Sequence, residues 1–358
     1  MKVAVLGVGL IGGSIGLAAR ARLDAEVAGF DPDSELLDRA TKLEAIDSAH
    51  DSVASAVEGA ELVFCAAPVL TLPGLAAEAL DAAGQECAVT DVGSVKRDVI
   101  AALGSEGRFI GGHPLAGAET SGVENARADL FEGARWYLTP TSKTSGLLYD
   151  RVQRAIADMG ARPQAIEAET HDRLMATISH LPHVVANVLV TQAATALSEE
   201  AEHLPEVGPS FRDATRVAGA NPPIWGDIFA GNREAVASEI EAAVVRLTEA
   251  AELIRSGDRE AVTRWHERAG GRRRELIETE IAGGPLHELR VRVPNRPGIV
   301  AEIALELGRA GVNIEDMALY PAADMTSGAI SLYIAGDDEA ERAERLVREL
   351  GHDVSRAE

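Results

Sequence analysis

The stretch "LGVGLIGGSIG", Leu6–Gly16, follows the apolar run "KVAV" and opens a segment of helical composition. Gly7, Gly9 and Gly12 stand in G-x-G-x-x-G spacing. Between a strand and a helix, each glycine has a purpose: a tight turn, close approach of backbone to a diphosphate, and tight packing of helix on strand. The first helical residues, Leu10 and Ile11, then offer free N–H groups and a partial positive charge to the anion. A second strand-like run, "EVAGF", leads to Asp31, nineteen residues past Gly12. A carboxylate there can accept both hydroxyls of a ribose and repels a 2′-phosphate, which favours NAD over NADP. Asp31 could equally cap the next helix in "DPDSELL".

Outward from this unit, short β-rich runs alternate with amphipathic segments. "ELVFCA" (61–66), "ECAVTD" (86–91), "RFIGG" (108–112), "WYLTP" (136–140) and "ARPQAIE" (161–167) read as strands. The alternation predicts an α/β, doubly wound, mostly parallel Rossmann sheet over 1–167. From 168 to 282 strand signals stop. Helical stretches (168–201, 233–255, 258–282) surround a Pro/Gly/Asn-rich interruption, "HLPEVGPSFRDATRVAGANPPIWGD". This predicts an all-helical domain of the kind that packs as a bundle, often between subunits. "AGGPL" (282–286) reads as a hinge, and 286–358 as a small α+β, βαββα-like module. Only "HDVSRAE" remains for a last strand, which leaves that sheet edge short.

Composition narrows the function. A formal charge of -23 argues against nucleic-acid binding, which needs a basic face. The cluster "RRR" (272–274) lies among glutamates and reads as a solvated helix face. Four lysines against thirty arginines fit a high-salt cytoplasm or a biased genome equally well. No run approaches the roughly 18–20 apolar residues of a membrane span, and the N-terminal run reads as strand and turn rather than leader. The expectation is a cytoplasmic protein without a membrane partner. Cys65 and Cys87 sit in apolar runs and read as buried free thiols.

Ligands of open α/β sheets lie at the carboxyl ends of the strands. There "ECAVTD" runs into "VGSVKRDV", and "RFIGG" ends at His113 in "GGHPLAGAETSG". Alone, His113 before a proline reads as a turn residue and Ser94 as a helix N-cap. The motifs "DVGSVK" (91–96), "GGHPLAGAETSGVE" (111–124), "SHLPH" (179–183) and "FRDATRVAGANPPIW" (211–225), in this order, resemble the prephenate/arogenate dehydrogenase family over residues 1–282. The resemblance implies NAD-dependent oxidative decarboxylation of prephenate to 4-hydroxyphenylpyruvate in tyrosine biosynthesis. It implies His113 as base or hydrogen-bond acceptor, Ser94 bridging His113, substrate hydroxyl and nicotinamide, and Arg216 gripping a carboxylate. Glu119 and Thr120 would line the entrance, and of His183 and His180 the former is favoured for substrate contact. Trp225 reads as packing at the domain junction, with closure over the site as the alternative. Lys96, Arg212 and Arg216 are the candidates for positive charge in the cleft. The histidines lack a fourth ligand at suitable spacing, so no metal is expected.

The tail "VPNRPGIVAEI…GVNIEDM" resembles an ACT domain of ferredoxin-like fold. That implies an amino-acid effector, tyrosine first, held by loops carrying Asn295, Pro297, Gly298 and Asn313, and pairing into a homodimer. Three alternatives stay open: an arogenate dehydrogenase, a β-hydroxyacid dehydrogenase, or a non-catalytic amino-acid sensor. The second needs a lysine on the first long helix, and "HDRLMATISHLPHVVANVLV" (171–190) has none.

Overall fold

The computed structural model describes residues 1–116, 120–200, 207–278, 285–294, 296, 299–314, 316–322 and 326–356. The chain packs as two compact units, Met1–Val244 and Val245–Glu358. The division falls within the helix Arg233–Ser256.

The first unit is built on eight strands: β1 (Lys2–Leu6), β2 (Glu26–Phe30), β3 (Ser48–His50), β4 (Leu62–Cys65), β5 (Ala88–Asp91), β6 (Phe109–Pro114), β7 (Arg135–Thr139) and β8 (Arg162–Ala165). They lie in the order β3-β2-β1-β4-β5-β6-β7-β8, parallel throughout except for β6 against β7. Period-two alternation explains why β1 and β4 are apolar at nearly every position. Val3, Val5, Leu62 and Phe64 face one core, while Ala4, Leu6, Val63 and Cys65 face the other. A strand covered on both faces buries every side chain, each Val or Leu contributing roughly 1.5–3 kcal/mol. β3 is a three-residue edge strand whose sequence "SAH" carries no strand signal.

The sheet order reverses beside β1, and the glycine turn sits there. Gly7 has φ +97°, and a Cβ on it would lie 2.2 Å from the Ala66 carbonyl oxygen. A Cβ on Gly12 would lie 1.8 Å from the Gly7 carbonyl oxygen. The protein itself therefore demands glycine at both. Gly9 differs: its φ of -70° and ψ of -155° suit any residue, and a Cβ there would meet nothing within 4 Å.

Beyond the sheet, the helix Ala168–Met175 runs through a single π turn, Ala176–His180, into the helix Leu181–Glu200. Pro182 explains the π turn. A proline there lacks the N–H and crowds the carbonyl four residues back, and the wider turn relieves both. The joined stretch Ala168–Thr195 is long and apolar enough to cross a membrane by length and composition, against the expectation of no such run. Its small polar residues hide that length in the sequence. The Pro/Gly/Asn-rich interruption holds two helices, Pro209–Thr215 and Pro222–Gly231, both opened by proline in the first turn. Proline there loses no hydrogen bond, so the residues read as breakers are starters.

In the second unit the helix Arg259–Glu278 precedes a four-stranded antiparallel sheet. Its strands are β9 (Leu286–Pro294), β10 (Asp316–Pro321), β11 (Ser327–Ala335) and β12 (Asp353–Arg356), in the order β10-β11-β9-β12. Helices Ile299–Arg309 and Asp337–Glu349 complete a βαββαβ unit. β12 pairs along β9 from Asp353 to Arg356, so the edge that looked short is filled.

Candidate active site

The carboxyl ends of β5 and β6 lie side by side, and a buried charge network ties them. Lys96 and Asp91 are both fully buried and form an ion pair. Lys96 Nζ also donates to the Gly112 carbonyl at 2.7 Å, and Asp91 accepts the N–H groups of Gly93 (2.9 Å) and Gly112 (3.0 Å). Burial lowers the Lys96 pKa while Asp91 opposes the shift. Lys96 is thus committed inside the protein and is no anion contact in the cleft, contrary to the sequence reading. Its role is to hold the loop bearing Ser94 against the strand bearing His113.

A cavity of about 310 Å³ opens beside these two residues, with Ser94, His113, Met175, His180, Trp225 and Ile228 in its wall. Ser94 does not cap the following helix, whose N-cap is Lys96. The first N–H groups there are taken by Asp172, which accepts from Lys96 N at 2.8 Å and Arg97 N at 2.9 Å. Asp172 also accepts from His171 Nδ1 at 2.8 Å, and His171 Nε2 lies 2.9 Å from His113 Nδ1. The His171 and Tyr137 rings meet in a T-shaped pair, with centroids 5.6 Å apart. Burial, reinforced by His171, Lys96 and His180, holds the His113 pKa well below its ordinary value.

Of the two histidines of "SHLPH", His180 stands in the cavity wall. His180 is 1% exposed and lies 3.2 Å, through Nδ1, from Asn232 Nδ2. His183, favoured from sequence, is outside the cavity wall and stacks on Trp225 with centroids 3.5 Å apart. The two histidines, three residues apart, both reach the Trp225 ring. Trp225 is therefore a wall between the histidines, with His180 edge-on to it at 5.9 Å, rather than mere packing. Arg216 ends the helix Pro209–Thr215 in an exposed position, and its charge adds to burial in lowering the His183 pKa. Arg212 is exposed one turn earlier. Thr120 is exposed and lies outside the cavity wall, while Glu119 falls outside the described residues.

At the dinucleotide end, Asp31 follows β2 and turns its carboxylate onto the glycine loop. Its oxygens accept the N–H groups of Val8 (3.0 Å) and Asp33 (3.0 Å). The cap of the next helix is Asp33, which accepts from Glu35 and Leu36. Asp31 is thus free of the capping role. The helix Leu10–Leu23 has no side-chain cap and no acidic residue in its first turn. Its N-terminal N–H groups remain for an anion.

Residues 15–165 match the family model "Prephenate dehydrogenase, nucleotide-binding domain", 167–268 match "Prephenate dehydrogenase, dimerization domain", and 287–352 match "ACT domain". Prephenate dehydrogenase of Bacillus subtilis strain 168 is 32% identical over 97% of this chain and 96% of its own length. The chain belongs to the prephenate dehydrogenase family. A solved relative is prephenate dehydrogenase from A. aeolicus in complex with hydroxyphenyl propionate and NAD+. It is 33% identical with TM-score 0.73, over 77% of this chain and 98% of that one. Arogenate dehydrogenase from Synechocystis is 26% identical with TM-score 0.68, over 77% of this chain and all (100%) of that one. The glycine fingerprint precedes the matched range of the nucleotide-binding model, so its reading rests on the geometry above.

For this family member, the buried histidines predict acid sensitivity. Burial pushes the His180 pKa down to about 4, with Asp172 opposing and His171 and His183 assisting. The unfolded chain binds that proton near 6.5, so the stability is present above that pH and is lost as pH falls toward 4. His180 alone is expected to lower the unfolding free energy by about 2 kcal/mol between pH 7 and pH 5. Urea titrations at the two pH values, with and without His180→Phe, measure the difference.

Proposed function

We propose that this chain catalyses the NAD-dependent oxidative decarboxylation of prephenate to 4-hydroxyphenylpyruvate. The observation that carries the reading is one cavity joining Ser94, His113 and His180 at the carboxyl ends of β5 and β6. NAD fits the other end of this unit: Gly9 leaves open the space a Cβ would fill, the helix N-terminus is uncapped, and Asp31 is held without being a cap. When bound, NAD supplies the acceptor for the hydride leaving ring carbon C4. His113, neutral near pH 7 because burial disfavours its charge, takes the C4 hydroxyl proton. Loss of the ring carboxyl group as carbon dioxide then moves an electron pair through the ring to that oxygen. His113 returns the proton as the ring becomes aromatic.

Ser94, whose hydroxyl has no protein partner among the described residues, orients the hydroxyl beside His113. Arg216 and His183 lie beyond Trp225 and meet a substrate carboxylate at the outer end. The three-domain division (1–167, 168–282, 286–358) and the homodimer belong to the same reading. Exposed Val185, Val188, Leu189 and Val190 on one helix of the dimerization segment support the dimer. The ACT domain is read as a site for an aromatic amino acid. Asn313 is exposed before β10, while Asn295, Pro297 and Gly298 fall outside the described residues. Flat activity and an unchanged melting temperature across millimolar tyrosine and phenylalanine would remove the effector.

The deciding assay is reduced-cofactor formation with prephenate against arogenate and NAD against NADP. Prephenate with NAD is expected to dominate kcat/KM, and a preference for arogenate overturns the substrate assignment. Gly9→Val is expected to raise the KM for NAD at least about tenfold while leaving the melting temperature within about 2 °C. A Cβ there strikes nothing in the protein. A large loss of stability would show that the turn, and not the cofactor, demands the glycine.

A further inference from the structure

We propose that Asp172 sets the protonation pattern of both cavity histidines, through His171 on one side and Asn232 on the other. The proposal rests on His113 being the base, and assigns His171, Asp172 and Asn232 as positioning residues.

The first branch runs through the carboxylate. An ionised carboxylate only accepts, and Asp172 already accepts two backbone N–H groups, so the hydrogen between it and His171 lies on His171 Nδ1. A neutral imidazole with hydrogen on Nδ1 has a bare Nε2. That nitrogen is 2.9 Å from His113 Nδ1, so the hydrogen between the two rings belongs to His113. The remaining nitrogen of His113, Nε2, is left bare, without a protein partner among the described residues, on a ring in the cavity wall. The chain thus selects the tautomer able to take a hydroxyl proton. When Nε2 takes it, the new charge is stabilised along a line ending on Asp172, and Nδ1 keeps its own proton.

The second branch runs through the backbone carbonyl of the same residue. It accepts from Asn232 Nδ2 at 2.8 Å, which settles which end of the amide is nitrogen. The second hydrogen on Nδ2 points to His180 Nδ1 at 3.2 Å. His180 Nδ1 is therefore an acceptor, and its proton sits on Nε2. The cavity holds two neutral histidines of opposite polarity. His113 offers a lone pair, and His180 offers an N–H to a substrate oxygen, a carbonyl or a carboxylate. Asp172 joins both branches and caps the helix behind Ser94, so one residue orients three groups of the wall.

The test needs no turnover at its first step. Two-bond proton–nitrogen spectra of the full-length chain labelled with 15N-histidine, at pH 7.5, are expected to show Nδ1–H for His113 and His171 and Nε2–H for His180. His113 protonated on Nε2, as a doubly protonated His171 would impose, or His180 protonated on Nδ1, overturns the proposal. The second step compares His171→Phe, which removes the acceptor, with His171→Gln, whose amide oxygen can replace it. His171→Phe is expected to lose roughly ten- to a hundredfold in kcat with KM changed less than about threefold, and His171→Gln to regain most of it. Activity of His171→Phe within about threefold of the parent overturns the positioning role. If that variant fails to fold, the spectrum of the parent protein decides. An absence of prephenate turnover with the expected tautomers defeats the functional reading alone.

Discussion

Replacing His113 by asparagine is expected to lower kcat for prephenate and NAD at least about a hundredfold while leaving the fold intact. Asparagine is the informative choice because its amide reaches the position of the ring Nδ1. It can keep a hydrogen bond to His171, which lies 2.9 Å from Nδ1 in the parent, and it removes Nε2. Binding and positioning by the rest of the wall remain, so a residual rate above the uncatalysed one persists. KM for prephenate should change much less than kcat, since the lost interaction matters most as the hydroxyl proton moves. Thermal melts within about 2 °C of the parent exclude a folding defect. A variant that turns over at the parent rate removes His113 from the chemistry.

The largest effect on stability is expected at Lys96. Lys96→Met leaves the Asp91 carboxylate fully buried without its cation, and breaking one side of such a pair costs about 3–5 kcal/mol. The double variant Asp91→Asn with Lys96→Met should recover a large part of that loss, because no lone charge remains. Asparagine keeps an oxygen for one of the two backbone N–H groups of Gly93 and Gly112. Urea unfolding of the two single variants and the double variant forms the cycle that measures the coupling. If Lys96→Met costs less than about 1 kcal/mol, the network is not what holds the two loops. Activity should fall along with stability, because the staple lies between Ser94 and His113.

Much of the architecture was legible from local pattern. The apolar runs of β1 and β4 announce strands covered on both faces, and glycine spacing after β1 announces the turn. His113 and Ser94 were legible because one lies in the last residues of β6 and the other just past the end of β5, so the sheet alone delivers them to the crevice. What stayed hidden depends on pairing across the chain. His171, Asp172 and Asn232 look like ordinary helix residues until a helix 75 residues away is seen to be capped by Asp172. A sharper signal was present: a buried-face "HD" one helical turn before Met175, on the helix that carries "SHLPH". That His180 rather than His183 lines the cavity depends on where the helix carrying both packs, which helical spacing alone does not give. Lys96 was read as a cleft charge because sequence shows that a lysine follows Ser94 but not that Asp91 faces it inside.

The π turn at Ala176–His180 also couples two parts of the molecule that share no chemistry. Such a turn holds one residue more than a regular one, and each residue of an α-helix advances the face by about 100°. The single extra residue therefore sets the phase of the twenty that follow, Leu181–Glu200. Shortening the chain there by one residue would let the helix anneal and swing the whole apolar face of Val185, Val188 and Leu189 around its axis. The same slip would pull His180 off Asn232. Length variation at this one position is thus closed to gradual change, because the surface and the interior would have to be rebuilt together.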